Sequence, residues 1–117
     1  MSKRVLAELT DLVLRFRDER DWKQFHNPKE LAISLVVESA ELLELMQWQQ
    51  GEALTRALHD KREAVVDELA DVLHSLLLLA HDLEVDLDAA LRQKLAKAAI
   101  KYPIEKSRGK AKKYTDL

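Results

Sequence analysis

The sequence predicts an all-α fold, a bundle of four main helices followed by an extended basic C-terminal arm. Only two glycines and two prolines occur in 117 residues, which leaves too few turn residues for a β-rich chain. Apolar residues make up 47% of the chain and recur with helical spacing. We therefore expect a single domain over residues 1–117, with residues 103–117 forming the arm.

The first helix is predicted by a stripe of apolar residues that ends near Arg20. Its members recur at steps of three and four, the spacing of one helix face: Val5, Leu6, Leu9, Leu12, Val13 and Phe16. The segment Asp21–Asn27 then breaks this pattern with Trp22, Phe25 and His26. We expect this segment to be an irregular connection.

The second helix is predicted by its N-terminal cap. Asn27 suits the capping position, Pro28 suits the first helical position, and Glu30 is placed to complete a capping box. We expect the helix to run to Gln50, where Gly51 closes it.

The third helix is predicted to open at a similar cap, Asp60, and to reach about Leu83. A short piece at Ala53–Leu58 before it can also be helical. Apolar side chains cover most of the circumference of this third helix: Val65, Val66, Leu69, Val72, Leu73, Leu76, Leu77, Leu78 and Leu79. Neighbours within one chain cannot cover that surface, so we expect a second chain to pack on it.

The fourth helix is predicted from Asp86, a second capping aspartate, to near Lys101, because Pro103 disfavours helical backbone around it.

The formal net charge of -2 conceals an acidic middle and a last quarter rich in lysine and arginine. Such a distribution suits a metal ion together with a polyanion, and a solvated charged tail is the alternative.

Two pairs of acids fall on the apolar faces of the second and third helices. With 100° per residue, Glu38 lies about 20° from Leu31, inside the apolar stripe, and Glu41 flanks the same stripe beside Leu45. Glu68 and Asp71 repeat this arrangement on the third helix. Both helices are therefore expected to turn a pair of carboxylates inward.

Buried carboxylates repel one another and lose hydration, so they require neutralisation. The inward positions offer no lysine or arginine, and a divalent cation is the economical solution. Ligands that are all oxygen select a hard ion, Mg²⁺ with Mn²⁺ as a substitute. Because Mg²⁺ is commonly shared between carboxylates and substrate phosphates, a phosphate-containing ligand is the natural partner.

Composition excludes other classes of chemistry. The chain has no cysteine, so disulfides, thiolate catalysis and cysteine-ligated metal are absent. Its longest uninterrupted apolar run, Leu76–Ala80, is too short to span a bilayer, and we expect a cytoplasmic protein without membrane contact. The basic tail follows no recognised nucleic-acid motif, so no stable nucleic-acid partner is expected.

The acids and their spacing resemble the signature of the MazG-like nucleoside triphosphate pyrophosphohydrolases. That signature is E-x-x-E followed by E-x-x-D, here Glu38, Glu41, Glu68 and Asp71. The likeness to the small single-domain branch, similar to dCTP pyrophosphatases, extends to further segments: Arg20–His26, Glu41–Glu44 with Gln47 and Trp48, Asp67–Leu73, Lys101–Pro103 and Lys113–Thr115. The resemblance implies Mg²⁺-dependent hydrolysis of a nucleoside triphosphate to monophosphate and pyrophosphate, with the four acids as metal ligands. It also implies homodimers or homotetramers with sites at subunit junctions.

The same resemblance implies five substrate-binding residues. Trp22, His26 and Trp48 match positions that contact the base and sugar, and Lys94 and Tyr102 match positions near the phosphates. For the two tryptophans, packing in a core or an interface is an equal alternative. His26 can instead be a loop residue with a local hydrogen bond.

Three positions depart from the family pattern. Relatives commonly carry Asn where this chain has Glu30 and Ala98, and some carry Tyr in place of Ser75. Ala98 has no side-chain donor for a phosphate or a base, so the family's substrate preference does not transfer directly to this chain.

Two rival functions differ in class. A di-iron carboxylate protein requires Glu-x-x-His on two helices, and His74 lies too far round the third helix from Glu68 to serve. His74, His81 and Glu63 share an arc expected to be exposed, where zinc is a weak alternative. A non-enzymatic oligomeric binding module is the other rival, although it leaves the inward acids without a use.

Overall fold

The computed structural model describes residues 2–117, with side chains from Arg4 onward, and the regular structure in this range is entirely helical. The elements in chain order are α1 Ser2–Glu19, α2 Pro28–Glu44, α3 Gly51–Asp60, α4 Arg62–Asp82, α5 Leu87–Lys101 and α6 Ile104–Ser107, with 3-10 turns at Lys23–Phe25 and Tyr114–Asp116. The predicted all-α fold with four main helices is confirmed, α1, α2, α4 and α5 being the long ones. None of these helices combines the length and apolar character needed to cross a membrane.

The starts of α2 and α5 are fixed by the caps that the sequence predicts. The Asn27 side chain accepts a hydrogen bond of 2.9 Å from the backbone N–H of Glu30, and Pro28 occupies the first helical turn. Asp86 accepts a bond of 3.2 Å from the backbone N–H of Ala89. These bonds satisfy amide groups that a helix start otherwise leaves unpaired.

The predicted end of α2 is wrong. The helix ends at Glu44 rather than Gln50. After Glu44 the backbone N–H groups bond three residues back instead of four, and the Leu45 N–H donates to the Leu42 carbonyl at 3.2 Å. Gly51 does not close α2 but opens α3, with φ of +56°. This left-handed backbone, which glycine adopts without a steric penalty, redirects the chain into the new helix.

The predicted cap at Asp60 is also wrong. Asp60 is the last residue of α3, and Lys61 joins α3 to α4 with almost no loop. The Lys61 N–H donates to Ala57 at 2.9 Å, and its carbonyl accepts from Val65 at 2.9 Å. One residue thus ends one hydrogen-bond ladder and begins the next, so α4 needs no side-chain cap.

The segment after α5 folds back on that helix. It contains the single turn α6 and the 3-10 turn at Tyr114–Asp116, so it is not extended throughout. The Tyr114 ring meets the edge of Tyr102 with centroids 6.0 Å apart, and the Lys101 ammonium lies 4.9 Å from the Tyr114 ring centroid. These contacts fix the basic arm beside the end of α5.

The chain is open for its size. α2 and α1 both pack against α4, and the buried apolar core is Leu31, Leu77, Leu78 and Ala80 among residues 4–117. The radius of gyration is 17.8 Å, whereas a compact domain of this length has about 13 Å. The accessible surface is 9289 Å², against about 6,500 Å² for a compact monomer of 13.5 kDa. Much apolar surface therefore remains uncovered within one chain.

Candidate metal centre

Three carboxylates meet where α2 packs along α4. Glu38 and Glu41 stand one turn apart on α2, and Glu68 reaches them from α4, so that one oxygen from each lies within 4.8 Å of the others. All three side chains are half-buried. Within the described part of the chain, this is the one group of three or more acids or histidines so arranged.

Two oxygens of the cluster are hidden from solvent without a hydrogen-bond donor. They are Oε2 of Glu38 and Oε2 of Glu68. A buried carboxylate oxygen that neither water nor protein satisfies is costly, and the cost rises when a second carboxylate is adjacent. These oxygens are therefore placed for a ligand that carries positive charge.

The electrostatics of the cluster point the same way. Burial, followed by the close contacts with the Glu68 and Glu41 carboxylates, raises the pKa of Glu38 to about 7. Burial also raises the pKa of Glu68. Both shifts mean that the site disfavours its own negative charge when no cation is present.

The dimensions of the cluster fit a hard divalent cation. Oxygens bound to one Mg²⁺ at about 2.1 Å lie roughly 3 to 4.2 Å from one another in an octahedron. The three oxygens here fall within 4.8 Å, so a small side-chain adjustment brings them into one coordination sphere. The donor set is all oxygen, which suits Mg²⁺ or Mn²⁺, and the cluster contains no histidine of the kind that a di-iron site uses.

Asp71, the fourth acid of the motif, stands slightly apart. It lies one turn beyond Glu68 on α4, is exposed, and is not within the group of three. Its charge nevertheless acts on the pKa of Glu38 and of Glu68, raising both. The structure therefore brings three predicted ligands together and places the fourth at the margin.

Trp22 belongs to an aromatic cluster that joins the end of α1 to α4. Its ring meets the edge of Phe16 at 5.8 Å, and Phe16 in turn meets the edge of His74 at 5.8 Å. His74 is one turn beyond Asp71 on α4 and is half-buried, so the expectation that it is exposed is wrong. Phe16 from α1 covers it, a contact that the helical wheel of α4 alone does not show.

His26 lies at the buried side of the connection that carries Trp22. Its Nδ1 is shielded from solvent and has no hydrogen-bond partner. Burial lowers the pKa of His26, and the positive charge of Arg17 lowers it further. His26 is therefore a neutral imidazole near neutral pH.

A buried ion pair beside this connection was missed by the sequence reading. Arg17 of α1 donates Nη1 to Asp82 Oδ2 at 2.9 Å and Nη2 to Asp82 Oδ1 at 3.0 Å. Arg17 lies within about 20° of Leu6 on the wheel of α1, inside the apolar stripe. The test that identified Glu38 could thus have identified Arg17, although not its partner.

The remaining predicted substrate residues are not part of the carboxylate group. Trp48, in the turn after α2, has 84% of its surface exposed. Lys94 and Tyr102 line a cavity of about 410 Å³ on α5 together with Ala98 and Tyr114. The walls of this cavity come from α5, Tyr102 and Tyr114 and include none of the four carboxylates.

The sequence and the fold of this chain are similar to those of known proteins. The chain matches the model of the MazG-like family over residues 33–117. It is similar to dCTP pyrophosphatase 1 from Bos taurus, with 42% identity over 118 residues that cover 99% of this chain and 70% of the relative. The Rattus norvegicus dCTP pyrophosphatase 1 is 44% identical over 114 residues, 96% of this chain and 67% of the relative. The crystal structure of a pyrophosphatase from Archaeoglobus fulgidus is also similar, with a TM-score of 0.79, 40% identity, and coverage of 83% of this chain and 91% of that one.

Proposed function

The chain belongs to the MazG-like family, and on that premise we propose that it hydrolyses nucleoside triphosphates to monophosphate and pyrophosphate at the carboxylate cluster with Mg²⁺. A deoxynucleotide such as dCTP is the favoured substrate, because similar relatives are named dCTP pyrophosphatase 1. Removal of unwanted nucleotides from a cytoplasmic pool is the corresponding role.

One observation carries this proposal. Glu38 and Glu68 approach from different helices and each buries an oxygen that no protein donor satisfies. A purely structural cluster would be more stable with neutral residues of the same size, since unpaired buried charge opposes folding. A bound cation, together with the phosphates attached to it, would neutralise and satisfy these buried carboxylates.

The acids divide the work of the site. Glu38, Glu41 and Glu68 would hold the cation, and Asp71 at the margin would complete the ligand set on the open side. When bound, Mg²⁺ neutralises phosphate charge and lowers the pKa of a coordinated water. A carboxylate oxygen of the cluster that does not bind the cation would orient a water toward the phosphate by accepting its hydrogen bond.

The substrate residues would act around this centre. Trp22 and neutral His26 would contact the base and sugar, the tryptophan by stacking. The site would lie at a junction between copies in a homodimer or homotetramer. This is supported by the exposure of Trp48 and by the cavity that Lys94 and Tyr102 line, which includes none of the four acids. Lys94 and Tyr102 would there meet the phosphates.

Identification of the products tests the proposed reaction. The protein is incubated with each common nucleoside triphosphate and Mg²⁺, and products are separated by anion-exchange chromatography. We expect monophosphate and pyrophosphate in equal amounts, with dCTP among the best substrates. Nucleoside diphosphate with single phosphate as the main products would contradict the assignment. Glu38→Gln serves as the control with an impaired site, because it keeps the size of the side chain and deletes one ligand of the cation.

A further inference from the structure

The buried Arg17–Asp82 pair joins the ends of two helices beside the connection that carries Trp22 and His26. Arg17 is in the last turn of α1 and is 2% exposed; Asp82 ends α4 and its side chain is 7% exposed. Two parallel hydrogen bonds of 2.9 and 3.0 Å fix the guanidinium against the carboxylate. Such a bidentate pair restrains orientation as well as distance.

The connection is attached to this pair at two points. The backbone carbonyl of Arg17 accepts from the N–H of Trp22 at 3.1 Å, which sets where the chain leaves α1. The Lys23 ammonium lies 3.6 Å from Asp82 Oδ2, the oxygen that Arg17 also binds. Asp21 between them has a φ of +54°, a left-handed backbone that asparagine and aspartate tolerate better than most residues. Trp22 is thus held between a backbone bond to Arg17 and the contact of its neighbour Lys23 with Asp82.

The pair also faces His26. The charges of both Arg17 and Asp82 act on this imidazole, in opposite directions. Arg17 Nε and His26 Nδ1 are both buried without a hydrogen-bond partner. Moving the ion pair would therefore change the surroundings of His26 as well as the path of the chain through Trp22.

We propose that the Arg17–Asp82 pair positions the segment Asp21–His26, so that Trp22 and His26 are held ready for the substrate's base and sugar. The role assigned to the substrate rests on the proposed function. Arg17 and Asp82 are positioning residues in this account, since they act through the segment and not through contact with the reacting phosphates.

A double replacement separates positioning from simple stabilisation. Removal of one partner leaves a buried charge unpaired, so Arg17→Met and Asp82→Leu alone should each lower the melting temperature. The double variant R17M/D82L has no unpaired charge, and exchange of a buried pair for apolar side chains often restores stability. It still lacks the Lys23–Asp82 contact and the bidentate bond that orients the end of α1 against the end of α4.

The first readout is independent of activity. The chain has two tryptophans, so in a Trp48→Phe background the fluorescence of Trp22 alone reports on the segment. Trp22 is 44% exposed in the folded chain. In R17M/D82L we expect its acrylamide quenching constant to rise about twofold as the segment loosens, while the melting temperature returns toward that of the Trp48→Phe parent. Arg4→Met, which breaks an exposed pair with Glu8 on the same helix, is the matched control and should change neither value.

The second readout is kinetic and uses the chain with Trp48 intact. For dCTP with Mg²⁺ we expect R17M/D82L to raise KM about tenfold and to leave kcat within about threefold, since binding is lost more than the chemical step. A thermally restored double variant with the quenching constant of its parent would overturn the positioning role. A restored double variant with unchanged KM would overturn the link to substrate. A parent protein without pyrophosphate release would overturn the proposed function, and the quenching result would still decide the positioning role.

Discussion

Glu38 and Glu68 face each other across the contact between α2 and α4, each with one carboxylate oxygen buried and unsatisfied. Neither residue has a basic partner in the cluster, and the pKa of each is raised. The fold therefore holds two acids in an arrangement that costs free energy until a proton or a cation occupies the space between them.

Mg²⁺ should stabilise the folded protein. An ion that binds only the folded state contributes about 2.7 kcal/mol at a hundredfold excess over its Kd. At about 4 to 8 °C per kcal/mol, the melting temperature should rise by roughly 10 °C or more relative to protein in chelator. Differential scanning fluorimetry near neutral pH measures this rise. Glu38→Gln should show a smaller rise, because it has one ligand and one charge fewer. Equal melting temperatures of the parent with and without saturating Mg²⁺ would argue against a metal site.

The stability of the metal-free protein should fall as pH rises toward 7. Glu38 has an ordinary pKa of 4.5 when unfolded and about 7 in the fold, so the folded state holds a proton that the unfolded state releases. This contribution is complete below pH 4.5 and is lost by about pH 7. Solvent screening reduces the effect to about 1 to 2 kcal/mol. Urea denaturation in chelator at pH 5 and pH 7 measures the difference, and Glu38→Gln should lose most of it. A parent that becomes more stable over this range would show that Glu38 does not take up the proton.

The open shape of the chain predicts self-association. Its surface exceeds that of a compact monomer by about 2,800 Å², well above the roughly 800 Å² per partner of a standard interface. Val66, Leu69 and Leu73 on α4 are among the exposed apolar residues. We expect a dimer or tetramer by sedimentation velocity at micromolar concentration. Leu69→Lys should shift the protein toward monomer, whereas Glu63→Lys at an exposed polar position of α4 should not. A parent that sediments as a monomer alone would refute this expectation.

The cap of α2 should support both the fold and the site, because it sets where the helix bearing Glu38 and Glu41 begins. Replacement of Asn27 by Ala removes the bond to the Glu30 N–H and should lower the free energy of unfolding by about 1 kcal/mol. Asn27→Asp keeps an acceptor at that position and should retain most of this stability. Urea denaturation compares the three proteins, and equal stability of Asn27→Ala and the parent would show that the cap contributes nothing.

The inward position of Glu38 and Glu68 was predictable from the sequence for a physical reason. A helix face is a property of one local segment, so an acid within a leucine stripe is visible without knowledge of the partner helix. The caps at Asn27 and Asp86 were predictable because their bonds span three residues.

What the sequence did not predict depends on longer range or on competing local signals. Arg17 and Asp82 are 65 residues apart, and no local pattern indicates that they pair. Gly51 follows a segment of helical composition, so it reads as a helix end, whereas its left-handed backbone instead starts α3. The cavity that Lys94 and Tyr102 share with Tyr114 depends on tertiary packing, which no motif spacing encodes.

The most direct test of the account is Mg²⁺-dependent pyrophosphate release by Glu68→Gln. This substitution keeps side-chain size and removes a charged ligand from the centre of the cluster. We expect the parent to release pyrophosphate from dCTP only with a divalent cation, and Glu68→Gln to lose about 100-fold or more of kcat/KM while retaining its fold by circular dichroism. A folded Glu68→Gln protein that releases pyrophosphate at the parental rate with Mg²⁺ would contradict the assignment of this cluster as the catalytic metal centre.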